Sequence, residues 1–105
     1  MTLEDIKALP VYQTRSIAKA AEDPDTLKYL FSCMAMLYSG NYGIVPAEDT
    51  DANNQELKTG AGRIVARYKA AEKLENDIYI ISDFCAGDPD NQEANHTTIL
   101  YCNEY

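Results

Sequence analysis

The apolar positions of this chain change period near its middle. In the first half, Leu27, Leu30, Phe31, Met34, Leu37 and Tyr38 fall at i, i+3, i+4, i+7, i+10 and i+11. That spacing lines them along one side of an α-helix and predicts the main core helix. Asp23-Pro24 starts it, a capping carboxylate followed by proline at the first helical position. Gly40 supplies a left-handed stop. Met34 and Met36 read as ordinary core packing. Past Gly62 the period shortens to two. Over Arg63–Lys69, Ile64, Ala66 and Tyr68 alternate with Arg63, Val65, Arg67 and Lys69, which predicts a strand with one apolar and one largely cationic side. Asp77–Phe84 is apolar on both sides around Ile78-Tyr79-Ile80-Ile81, as a central strand should be. A third strand is predicted over Thr97–Cys102. The gaps 70–76 and 86–95 suit hairpin connections, so the three should form an antiparallel meander. In it, Asp83 is placed to oppose the cations of the first strand.

The remaining segments are less sharply patterned. A polar helix is expected from Ala47 to about Lys58, ending at Gly60, with only Ala47, Ala52 and Leu57 to bury. Leu3, Ile6 and Leu9 have rough helical spacing, stopped by Pro10. Thr14 suits the N-cap of a short helix from Arg15 to about Ala21, and a strand over Val11–Ile17 competes for the same residues. The expected fold is α+β: two or three helices packed on one face of a three- or four-stranded antiparallel sheet. At 105 residues, one domain over 1–105 is expected.

Composition narrows the function. The hydrophobic fraction of 46% and charged fraction of 25% are those of a folded chain. No stretch approaches the roughly 20 apolar residues of a membrane span. Met1-Thr2-Leu3-Glu4-Asp5 lacks the apolar segment of a signal peptide, so a cytoplasmic location is expected. The odd set Cys33, Cys85 and Cys102 then reads as reduced thiols. The net charge of −8 argues against direct nucleic-acid binding, which runs on Lys and Arg neutralising phosphates. The charge is also uneven. No Lys or Arg follows Lys73, yet Glu75, Asp77, Asp83, Asp88, Asp90, Glu93 and Glu104 do. That acidic run either only solvates the surface or steers a basic partner.

Specific chemistry finds little footing. Asp49-Thr50-Asp51-Ala52-Asn53 begins like a calcium loop, but Asn54 and Gly60 stand where glycine and a bidentate Glu are needed. The acids read better as a helix start. Asp88, Asp90 and Glu93 read as a solvated turn before they read as a cation site. Cys33, Cys85, Cys102 and His96 have the ligand count of a zinc site without its spacing. No cofactor and no metal is expected. Gly60-Ala61-Gly62 precedes a strand, so no phosphate cradle is expected. No acid, base and nucleophile set assembles, and the chain is not expected to be an enzyme.

Several short pieces together resemble a group of uncharacterised small proteins carried by plasmids, phages and other mobile elements of Gram-positive bacteria. They are Asn41-Tyr42-Gly43, Glu48-Asp49, Asn53 with Asn54, and Gly62-Arg63-Ile64-Val65-Ala66-Arg67-Tyr68. Asp77-Ile78-Tyr79-Ile80-Ile81-Ser82, Thr97-Thr98-Ile99-Leu100 and Tyr105 complete the likeness, over about residues 14 to 105. Two departures stand out. Tyr42 and Tyr79 replace tryptophans, and the longer acidic loop 84–96 replaces a short link that carries an arginine. The resemblance implies a mobile-element setting and no specific activity.

The leading functional expectation is a non-enzymatic interaction protein. Its acidic surface, with Asp83, Asp88, Asp90 and Glu93, would contact a basic protein partner. In a mobile element that partner could be a nucleic-acid-binding defence protein, engaged by DNA mimicry. The alternatives are a small-ligand pocket lined by Tyr42, Tyr68 and Tyr79, and a homodimer built through an exposed edge strand.

Overall fold

The period-two segments form a sheet, and the period-3.6 segments cover one side of it. The computed structural model describes residues 1–71 and 73–105. In chain order the elements are α1 (Leu3–Lys7), β1 (Val11–Gln13), α2 (Arg15–Ala20), α3 (Pro24–Tyr38), α4 (Ala47–Thr59), β2 (Ala61–Tyr68), β3 (Ile78–Cys85) and β4 (His96–Tyr101). A 3₁₀ turn over Cys102–Glu104 follows. The sheet order is β1-β4-β3-β2. The expected α+β class and C-terminal meander hold: β2 pairs with β3, and β3 with β4, both antiparallel.

The expectation of a wholly antiparallel sheet is corrected. β1 pairs with β4 in parallel, Val11 beside Thr97 and Gln13 beside Ile99, so the sheet is mixed. The helix count is corrected too, to four among the described residues. Three residues are too few to display an alternation, so β1 left no periodic signal. Both competing readings of 11–21 were partly right. The strand ends at Gln13, and the Thr14 hydroxyl then accepts from the Ile17 N–H to cap α2. Upstream, Thr2 and Asp5 form a capping box that starts α1.

One side of the sheet meets all four helices. Across the strands, Tyr68, Ile78 and Tyr101 form one row, Ala66, Ile80 and Ile99 the next, and Ile64, Ser82 and Thr97 a third. All nine are buried. Ser82 and Thr97 satisfy each other through hydroxyls 2.7 Å apart. Ile6, Ile17, Leu30, Cys33, Leu37 and Leu57 pack onto these rows from the helices.

α3 is rotated relative to the predicted stripe. Its buried residues are Thr26, Leu30, Cys33 and Leu37. Leu27 and Phe31, expected in the core, are 39% and 60% exposed. The apolar arc of this helix is wider than the sheet beneath it, because the sheet ends in the three-residue β1. The excess projects past that edge.

Candidate interaction surface

A sheet has two edges, and backbone chemistry treats them alike. Alternate residues of an edge strand point their N–H and C=O away from the sheet. On β2 those residues include Arg63, Val65 and Arg67; the backbone of Arg63 has no partner among the described residues, whereas Val65 and Arg67 are both satisfied. The Asn53 side chain of α4 acts as a substitute strand. Its Oδ1 accepts from the Val65 N–H at 3.0 Å, and its Nδ2 donates to the Val65 carbonyl at 2.9 Å. The loop after α3 does the same for Arg67, whose N–H donates to the Tyr42 carbonyl while its own carbonyl accepts from the Ile44 N–H. Gly43 lies between those contacts with φ +78°, and any Cβ there would overlap the Arg67 carbonyl. Only glycine lets the loop come this close.

The β1 edge has no such cover. Thr97 N–H donates to the Pro10 carbonyl, and Thr14 N–H donates to the Ile99 carbonyl. With the parallel register, these bonds turn the backbone of Tyr12 toward β4 and those of Val11 and Gln13 outward. Neither outward N–H has a partner among the described residues. Side chains on the helix side of this edge are mostly apolar. A groove of about 260 Å³ runs between β1 and α3, lined by Val11, Gln13, Leu27, Phe31, Met34 and Ile99 among others. Val11 is 40% exposed and Tyr12 is 49% exposed.

The sheet's other face carries polar and aromatic groups around the buried Ile81 and Leu100. Tyr12 meets the His96 ring edge-on, with centroids 5.9 Å apart. With Gln92, Glu93 and Thr98 they line a shallow hollow of about 360 Å³. Further across, Arg63 Nε donates to Asp83 Oδ1 at 2.7 Å, the pairing that the register of β2 and β3 suggests. Arg63 Nη1 also donates to the Tyr105 hydroxyl, whose ring lies 5.5 Å from that of Tyr79. Arg67 donates to Asp77 at 3.0 Å, and its guanidinium carbon sits 5.8 Å from the Tyr79 ring centroid.

These contacts divide the late carboxylates. Asp77 accepts from the Ala70 N–H and from Arg67, which hold its carboxyl below the ordinary aspartate range. Asp83 is paired with Arg63. Glu104 accepts from the Tyr101 N–H and the Thr14 hydroxyl. Asp88, Asp90 and Glu93 are exposed, and none forms an ion pair among the described residues. Of the four residues named from sequence for partner binding, three lie exposed in the loop 86–95. The fourth, Asp83, lies on β3 against its own cation.

The loop that displays them is not loose. Buried Asn95 accepts from the Cys85 N–H at 2.9 Å and donates to the carbonyls of Asp88 and Asn91 at 2.8 and 2.9 Å. His96 Nδ1 lies 2.9 Å from the Gln92 carbonyl. Sequence reasoning passed over both Asn53 and Asn95 as site-building residues. Asparagine in a polar stretch reads as a turn or a helix surface, and nothing local marks it as a backbone surrogate.

The three tyrosines of the pocket reading do not converge. Tyr42 and Tyr68 are buried on the helix side, their hydroxyls bonded to Asn54 Oδ1 and the Asn41 carbonyl. Burial pushes both phenols up from their ordinary value. Tyr79 stands on the opposite face of the sheet, beside Arg67 and Tyr105. Cys33 is buried in α3, while Cys85 and Cys102 are half-buried. The acids once weighed as a calcium loop lie within α4. No helix among the described residues is long and apolar enough to cross a membrane. No protein-family model, curated protein or solved structure matches the chain.

Proposed function

We propose that the chain is a non-enzymatic interaction protein whose loop 86–95 docks a basic surface of a protein partner. The observation that carries this is the contrast among its own carboxylates. Asp77 and Asp83 are neutralised by Arg67 and Arg63, whereas Asp88, Asp90 and Glu93 are exposed with no cation beside them among the described residues, on a loop that Asn95 holds in shape. Like charges on an ordered loop repel one another and favour a cationic partner. The resemblance to mobile-element proteins suggests a host protein as that partner. In the DNA-mimic version, the carboxylates would occupy a phosphate-binding groove. Three carboxylates without a cation make a short footprint for that role, and a basic segment of limited length suits them better.

The test compares the wild-type chain with a combined Asp88→Asn, Asp90→Asn, Glu93→Gln variant as baits in cells that encode it. Wild-type bait should retain basic proteins at low salt and release them as salt rises. The neutralised bait should lose most of that recovery and its salt dependence. Equal recovery by both baits, with the same salt profile, contradicts the assignment.

A further inference from the structure

We propose that the open edge of β1 receives an extended segment of the partner protein, one whose residues alternate apolar and basic. This deepens the acidic-docking reading and rests on it. The edge offers two outward N–H groups and two outward carbonyls, from Val11 and Gln13. An added strand would complete them, as extended peptides do at exposed sheet edges elsewhere.

Pleating fixes which residue types such a strand needs. Side chains level with Val11 and Gln13 fall on the helix side, into the groove walled by Leu27, Phe31 and Met34. Those positions call for aliphatic groups. Side chains level with Tyr12 emerge on the other face, beside His96 and Glu93. Those positions call for cations, with the exposed Tyr12 ring ready to stack on them. The acidic loop precedes β4, which runs parallel to β1, so it lies at the Val11 end of the sheet, and its Glu93 lines the hollow beside Tyr12. The basic residues of the segment belong at that end.

A second copy of this chain is the other occupant with the right backbone. Each copy carries a net charge of −8, so self-pairing sets like charges together, whereas a basic segment relieves them. The partner's segment is therefore the occupant the charge favours.

A labelled peptide alternating valine and lysine serves as the probe, read by fluorescence anisotropy against the intact chain. A peptide with the same residues in two blocks is the control. The alternating peptide should bind about tenfold more tightly than the block peptide, because only it can fill groove and hollow together. Gln13→Pro removes one outward N–H without touching the bonds to β4, and Phe31→Glu puts a charge in the groove. Each should weaken the alternating peptide about tenfold, with little effect on the block peptide. Phe31 is exposed, so its variant should fold even if the proline variant does not.

Failure to bind the alternating peptide, or equal binding of the two peptides, overturns the proposal. So does unchanged binding by Phe31→Glu. Light scattering that shows a concentration-dependent dimer, dispersed by Phe31→Glu, assigns the edge to a second copy and overturns it as well. If the edge variants bind normally and only the loop-neutralised variant loses affinity, edge docking falls and the acidic-loop reading stands. If the loop-neutralised variant keeps full affinity for both peptides, the acidic-loop reading falls as well.

Discussion

The two edges of this sheet solve the same problem differently. At β2, a helix asparagine and a glycine-bearing loop satisfy every outward group of Val65 and Arg67. At β1, the outward groups of Val11 and Gln13 face solvent, and the neighbouring helix presents Leu27 and Phe31 rather than charge. Proteins commonly blunt free edges with lysine, proline or a bulge. Here Pro10 stops the strand at one end and the strand is short, yet its apolar border is intact. The covered stretch of β2 therefore contributes to stability, and the open edge at β1 is the one we propose for binding.

That division can be broken by mutation, beginning at the closed edge. Gly43→Ala should have the largest effect. It strains a left-handed residue, forces the loop off Arg67 and sacrifices two backbone bonds, together about 3 kcal/mol in a denaturant melt. Asn53→Ala comes next, leaving the Val65 N–H and carbonyl unpaired beneath α4 at a cost of about 2 kcal/mol. If either variant melts like wild type, the β2 edge is not sealed as described.

Acid sensitivity ranks below these. The folded pKa of Asp77 is depressed by the Ala70 N–H and then by Arg67. Its contribution is complete above the unfolded value of about 3.9 and is lost as pH falls through the lower folded value. Melting temperature followed downward from about pH 4 should therefore drop less steeply in Asp77→Asn than in wild type. Parallel profiles would show that Asp77 contributes nothing. Arg63→Ala should cost less than about 1 kcal/mol, since its pair with Asp83 is solvent-exposed on the Arg63 side. Smallest of all, Phe31→Glu should move stability by no more than about 0.5 kcal/mol while weakening peptide binding. A large loss of stability there would make Phe31 a core residue after all.

Much of this architecture was legible in the sequence, and the illegible parts share a cause. Period-two alternation placed Ile64, Ala66 and Tyr68 on the buried side, and the meander set the cations of its first strand against Asp83, of which Arg63 makes the pair. Gly40 took the left-handed conformation expected of it after α3, and α4 ended at Gly60 as expected. The α3 stripe was found, but its rotation was not. Periodicity shows which residues share a helix side, not how far the surface beneath extends. Leu27 and Phe31 were therefore placed in a core that stops short of them. β1 was missed as a parallel partner because three residues carry no period and the matching residues lie far along the chain. The edge covers were missed because Asn53 and Gly43 act on backbone groups, which sequence patterns do not display. For the candidate surface, Asp88, Asp90 and Glu93 were visible as an acidic loop, whereas the groove beside β1 needed the fold.

Residue-resolved amide hydrogen exchange tests the contrast between the edges most directly. Val65 and Arg67 should exchange slowly, as should Tyr12, whose N–H points into the sheet. Val11 and Gln13, on either side of Tyr12, should exchange near the rate of an unprotected chain and slow when the alternating valine–lysine peptide is added. Val11 and Gln13 protected as strongly as Val65 and Arg67 in the free protein would contradict an open edge at β1.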